Sequence, residues 1–136
     1  MNNIPLKLAE VNVLTSQANW AWPQALKDIF EPRGINLLTA ASADEFINVA
    51  EHKRVHTAII DMDSEQANGL ATIRLMKRRY PLLPCILLSS STEQALLNKA
   101  LQLEVFSVID KPVNLEILRR QLDRLFKKKY GSDIFA

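Results

Sequence analysis

Cysteine and glycine are scarce in this chain: Cys85 stands alone, and three glycines are spread over 136 residues. A single cysteine excludes an internal disulfide, and its place in the apolar segment Pro84 to Leu88 marks an inert buried thiol rather than a reactive one. No apolar stretch nears the roughly 20 residues that a bilayer-spanning helix needs. The polar start Met1 to Asn3 lacks the basic-then-apolar pattern of a secretory signal. These absences predict a cytoplasmic protein with no membrane partner. Neither sign of charge is in excess, with 17 Lys and Arg against 15 Asp and Glu, so the net charge of +2 implies no polyanion. The basic groups Lys77 to Arg79, Arg119 with Arg120, and Lys127 to Lys129 belong to different predicted helices, mostly at their C-termini. They lack interleaved aromatics, and no nucleic-acid partner is expected. What the chain has in quantity is hydrophobic residues, 48% of the total. At this length one domain buries about two thirds of its unfolded surface. The prediction is a single domain over 1–136, with its core at about 10–127 and a short tail at 128–136 that frays or docks on a partner.

Apolar spacing sets out five strands and five helices. Glu10 to Leu14 reads as a strand, and Trp20 to Phe30 as a helix with Trp22, Leu26, Ile29 and Phe30 on its apolar face. Gly34 ends that unit. Ile35 to Ala40 is a second strand; Ser42 with Glu45 forms a capping-box pattern for the helix that carries Phe46, Ile47, Val49 and Ala50. Thr57 to Ile60 is a third strand, Asn68 to Tyr80 a helix stopped by Pro81, and Cys85 to Leu88 a fourth strand. A helix from Thr92 to Leu103 opens at Ser91 or Thr92 and is followed by a strand, Val105 to Ile109. The last helix, Val113 to Lys129, carries the stripe Leu115, Leu118, Leu122, Leu125 and Phe126.

Strands alternating with helices argue for an α/β fold, a five-stranded parallel sheet with helices on both faces, because parallel neighbours need crossover connections. The third, fourth and fifth strands read as continuous apolar runs, as strands buried on both faces should. Ligand chemistry in such sheets gathers at the C-terminal strand ends, near a topological switch point. Those ends carry Thr15 and Ser16, Asp61, Ser89 and Lys111.

Four features, in order and at matching spacing, resemble the receiver domain of bacterial response regulators, from about Val11 to Phe126. They are Asp61 ending the third strand, Gly69 opening the next helix, Ser89 ending the fourth strand, and the Lys111-Pro112 step after the fifth. The resemblance implies the flavodoxin-like strand order 2-1-3-4-5 and a cis peptide at Lys111-Pro112. It also implies a signalling module rather than an enzyme, with no organic cofactor. Asp61 would accept a phosphoryl group from a sensor histidine kinase or phosphotransfer protein. Ser89 would be the switch hydroxyl and Lys111 the cation that pairs with the phosphoryl group, while Mg²⁺ neutralises charge on the reacting oxygens. Output would pass to a downstream protein, or to a second copy in a homodimer, through the face of the fourth helix, fifth strand and fifth helix.

The departures bear on mechanism. Where the family has an acidic pair after the first strand, this chain has Thr15 and Ser16. Neutral hydroxyls do not offset the dehydration of a small dication, so Mg²⁺ affinity is expected to be poor, with Asp61 and Asp63 the remaining candidate metal ligands. Ser64-Glu65 replaces the usual Met-Pro, Val108 replaces the switch aromatic, and Glu104 stands where a glycine is expected. Fewer negative charges favour a direct Lys111 to Asp61 ion pair. The chain therefore carries two readings, a phosphorylated receiver and a phosphorylation-independent pseudo-receiver that serves as an interaction or dimerisation module. A flavin-binding relative of the same fold is disfavoured, since the loop Thr15 to Asn19 has no glycine to bring backbone close to a phosphate. His52 and His56 have no ligand partners at useful spacing and are assigned surface or packing roles; of Trp20 and Trp22, one is expected in the core and one exposed.

Overall fold

Alternating burial is what the central strands share. In β1 (Val11–Ser16), Val11 and Val13 join one hydrophobic cluster and Leu14 the other. In β3 (Thr57–Asp61), Ile59 faces the first cluster and Ala58 and Ile60 the second; in β4 (Cys85–Ser89), Ile86 and Leu88 oppose Cys85 and Leu87. Residues two apart share a sheet face, so apolar residues at successive positions require cover on both. Helices α1 (Pro23–Phe30) and α5 (Leu115–Tyr130) cover the first face through Leu26, Phe30, Leu118, Leu122, Leu125 and Phe126. Helices α2 (Ala43–His52), α3 (Gly69–Arg79) and α4 (Gln94–Gln102) cover the second through Phe46, Ile73, Met76 and Ala100. With β2 (Ile35–Ala40) and β5 (Ser107–Asp110), the strands form one parallel sheet in the order β2-β1-β3-β4-β5, as expected. The order reverses between β1 and β3, so the crevice lies over their C-terminal ends. This computed structural model describes residues 10–17, 19–63, 68–91 and 93–136. The Ser64-Glu65 step, Thr92 and the polar start lie outside the described residues.

The boundaries differ from expectation for local reasons. Helix α1 begins at Pro23 rather than Trp20, because the residue before a proline is driven from the helical region; Trp22 has φ −66° and ψ 128°. Trp22 is 82% exposed and Trp20 packs partly buried against the α1 side of the core. The Ser42 hydroxyl accepts from the Glu45 N–H at 3.2 Å, while the Glu45 carboxylate reaches the N–H of Ala41. Asn68 and Asn114 cap α3 and α5 with their side-chain oxygens, whereas Glu93 at the start of α4 makes no side-chain cap. Such caps each contribute about 1 kcal/mol. The fifth strand is not a continuous buried run: only Ile109 is buried, because β5 is a sheet edge. Glu104 adopts φ 57°, the left-handed conformation for which glycine was expected. The peptide Lys111-Pro112 is cis.

The tail corrects a second expectation. Gly131 ends α5 in the left-handed conformation, and the chain folds back on its own core. Phe135 is fully buried, edge-on to Phe126 and Phe30 at 5.0 and 5.8 Å between ring centroids. The Arg119 guanidinium donates to the Phe135 carbonyl at 2.6 Å. Burial of that ring, with the Arg119 hydrogen bond, offsets part of the entropy of ordering the tail.

Candidate functional site

The ends of β1, β3 and β4 and the start of the β5–α5 connection bring the predicted residues to one edge. Asp61 pairs in register with Leu88, and the N–H of Lys111 donates to the Ser89 carbonyl at 2.9 Å, so the last residues of β3 and β4 lie beside Lys111. The Lys111 ammonium donates to both oxygens of Asp61, at 3.0 and 3.1 Å, and lies 3.3 Å from Asp63 Oδ2. The Asp61 side chain is 4% exposed, that of Lys111 21% and that of Asp63 38%. Burial alone would lower the Lys111 pKa, but the bonds and charges of Asp61 and Asp63 outweigh it and hold the amine above the usual lysine value. Asp63 lies at the surface, as expected, yet one of its carboxylate oxygens reaches Lys111 and the Ser90 N–H. Burial would raise its pKa, and the bonds from Ser90 and Lys111 hold it below the ordinary carboxylate value instead.

Ser16 is buried, and its hydroxyl accepts from the Asp61 N–H at 2.9 Å, so the position expected to be acidic instead braces the backbone under Asp61. Thr15 is fully buried and its hydroxyl has no partner among the described residues. Ser89 is buried too, yet its hydroxyl donates to the Ser91 carbonyl at 3.1 Å and accepts from the Ser91 N–H at 3.0 Å, closing a local turn. One participant escaped the sequence reading. The Ser90 N–H donates to Asp63 Oδ2 at 3.2 Å, and the Asp63 N–H to Asp61 Oδ1 at 2.9 Å. Main-chain donors leave no residue-type signature; a serine run after a strand, prone to turns, was the available sign. His52 is exposed, and His56 is buried against Phe126 and Tyr130, with Nδ1 accepting from the Asn12 N–H.

The donor set does not fit a magnesium ion. Among the described residues the Asp61 and Asp63 carboxylates are at hand, both already paired to Lys111, and the β1 end offers neutral hydroxyls. Among the described residues no three His, Cys, Asp or Glu side chains converge to hold a metal. A dication at Asp61 would lie close to an ammonium and lack the carboxylate charge that offsets its dehydration. Cys85 is far from this chemistry: burial pushes its thiol up to about 11.

A parallel sheet in this order, with an aspartate, a serine and a lysine at its C-terminal edge, defines a receiver-type signalling fold. The chain belongs to the response regulator receiver domain family, whose profile matches residues 19–123. Among solved structures, the signal receiver domain of an HD domain-containing protein from Pseudomonas fluorescens Pf-5 is 19% identical with a TM-score of 0.81, covering 96% of both chains. A CheY-like receiver domain protein from Methanospirillum hungatei JF-1 is 22% identical with a TM-score of 0.71, over 88% of this chain and 99% of that one. In sequence, an NtrX-like response regulator of Rickettsia bellii is 27% identical over 88 residues, 63% of this chain. The match spans 18% of that protein's length. Among the described residues no helix is long and apolar enough to cross a membrane.

Proposed function

We propose that this receiver domain works in two-component signalling as a phosphorylation-independent protein-binding module, with Asp61 at the phosphoacceptor position but held by an internal ion pair. The observation that carries this reading is the Lys111 ammonium lying within 3.3 Å of three oxygens of Asp61 and Asp63, opposite a β1 end without acids. Attack of a carboxylate on a phosphoryl group sets anion against anion, and catalysis of that step rests on cations that neutralise the reacting oxygens. Here the Lys111 cation is already committed, and Asp61 is almost wholly buried. Output would pass through α4, β5 and α5, where Leu101 is 75% exposed and Phe106 and Val108 remain half-buried. The partner is a downstream protein of the same cytoplasmic pathway or a second copy of the chain.

A second reading, phosphorylation of Asp61 by a sensor histidine kinase or phosphotransfer protein, draws support from the placement of Asp61, Ser89 and Lys111 along one edge. Amide NMR during titration with Mg²⁺ and then beryllofluoride, a phosphoryl mimic, separates the two. The first reading expects no shifts from Asp61, Ser89 or Lys111. Shifts that spread from these residues and vanish in Asp61→Asn would overturn it in favour of the second.

A further inference from the structure

Asp63 is neither the acceptor, the switch hydroxyl nor the pairing cation that the receiver resemblance implies, and its contacts are specific. A phosphoryl group on Asp61 would be an anion at the sheet edge, held by whichever cations and N–H donors converge there. Among the described residues the Lys111 ammonium and the Ser90 main-chain N–H are such donors, and Asp63 Oδ2 already takes both, at 3.3 and 3.2 Å. The Asp63 N–H is fixed on Asp61 Oδ1 at 2.9 Å, so this carboxylate is tethered beside Asp61 much as a group attached to it would be. We propose that Asp63 is an internal anion that stands in for a phosphoryl group, tying the β4–α4 loop to Lys111 and so holding the α4 side of the binding surface in one arrangement. This rests on the phosphorylation-independent reading above.

Each link is charge-assisted, since Asp63 is an ionised acceptor and Lys111 an ionised donor. The Ser90 link matters most for output. Ser90 lies between Ser89, the last residue of β4, and Ser91, which closes the turn on Ser89 and whose hydroxyl accepts from the Glu93 N–H at the threshold of α4. The Ser89 hydroxyl is spent inside that turn, as it would be where no phosphoryl oxygen arrives to claim it. An ion pair with a partner 38% exposed adds little to global stability, so the consequence to look for is position rather than melting temperature.

The test compares amide NMR spectra and hydrogen exchange of the full chain with those of Asp63→Asn, which keeps the shape and removes the charge, and of Lys111→Met, which removes the other partner. In Asp63→Asn the Ser90 amide should move and exchange about tenfold faster, the loss expected for one charge-assisted hydrogen bond. Shifts should continue into the first turn of α4, and Lys111→Met should perturb the same amides. An unmoved Ser90 amide with α4 unchanged in both variants would overturn the proposal. Beryllofluoride added with Mg²⁺ to the unaltered protein reports separately on the reading beneath it. Shifts there would defeat that reading, whereas a silent Asp63→Asn spectrum without them would defeat this inference alone.

Discussion

Replacing Lys111 with methionine isolates what the ion pair does for the fold. The substitution keeps the length of the stem and removes the ammonium, leaving the Asp61 carboxylate 4% exposed and without its cation. Breaking a buried pair by removing one partner costs about 3–5 kcal/mol. Two features of this site lower the figure: Lys111 is 21% exposed, so water reaches the gap, and Asp61 Oδ1 keeps the N–H of Asp63. A loss of about 2–4 kcal/mol is therefore expected, a large share of the 5–15 kcal/mol that stabilises a typical domain. Asp61→Asn alone should cost about 1 kcal/mol, because an amide oxygen still accepts from Asp63 and the stranded ammonium keeps Asp63 and solvent. The double variant should be more stable than Lys111→Met by about 1–2 kcal/mol, since no unpaired charge remains. Urea unfolding at neutral pH reads all three, with midpoints falling by about 1 M or more for Lys111→Met at unchanged slope. Lys111→Met within about 1 kcal/mol of the parent, or a double variant no better than Lys111→Met, would refute the argument that the lysine is needed to neutralise Asp61.

Four further outcomes can be read from the same fold. Phe135→Ala should cost about 2–4 kcal/mol in denaturant unfolding, at the low end for a core phenylalanine because the tail can simply detach; a loss under 1 kcal/mol would mean the tail is not part of the core. Gly69→Ala places a Cβ 2.7 Å from the Met62 Cα, so it should destabilise by about 1–3 kcal/mol and shift the amides of Asp61 and Asp63; a stabilised protein would show that the β3–α3 turn yields freely. Glu104→Gly should raise stability by up to about 1 kcal/mol, since relief at φ 57° exceeds the extra entropy of an unfolded glycine, and a lowered Tm would contradict this. His56 is held below its usual pKa of 6.5, by burial first and the nearby Arg54 second, so the unfolded chain takes up the proton before the folded one. Stability should therefore fall as pH drops below about 6.5, and His56→Gln should flatten that slope; an unchanged slope in the variant would assign it to other groups.

The sheet was legible in the residues because burial on both faces leaves a mark that survives in one dimension. Ile59, Ile60, Ile86 and Leu87 are apolar in succession, and only a doubly covered strand tolerates that. Helix ends were legible where a side chain does the capping, as at Ser42, and misplaced where backbone sterics decide, as at Trp22 and Pro23. The same division runs through the site. Asp61, Ser89 and Lys111 could be placed by spacing, but the side chain's direction depends on the turn it sits in: Ser89 turns toward Ser91, and Asp63, though exposed, accepts from a main-chain donor. The tail was misread because Ile134 and Phe135 look like any short apolar end until Phe30 and Phe126 are seen to leave a slot for them.

Charge explains why the departures at the pocket belong together. Asp61, Asp63 and Lys111 leave one formal negative charge at the sheet edge. The acidic pair that the receiver resemblance implies would add two more, and a dication would then be required to return to the same balance. Without a dication, carboxylates at positions 15 and 16 would be buried uncompensated, since those positions are almost wholly closed to water. Neutral Thr15 and Ser16 avoid that penalty, and the Ser16 hydroxyl recovers a hydrogen bond to the Asp61 backbone in the process. With neutral residues at the β1 end, no second cation is needed to balance the pocket, and the charge of Lys111 is shared between Asp61 and Asp63.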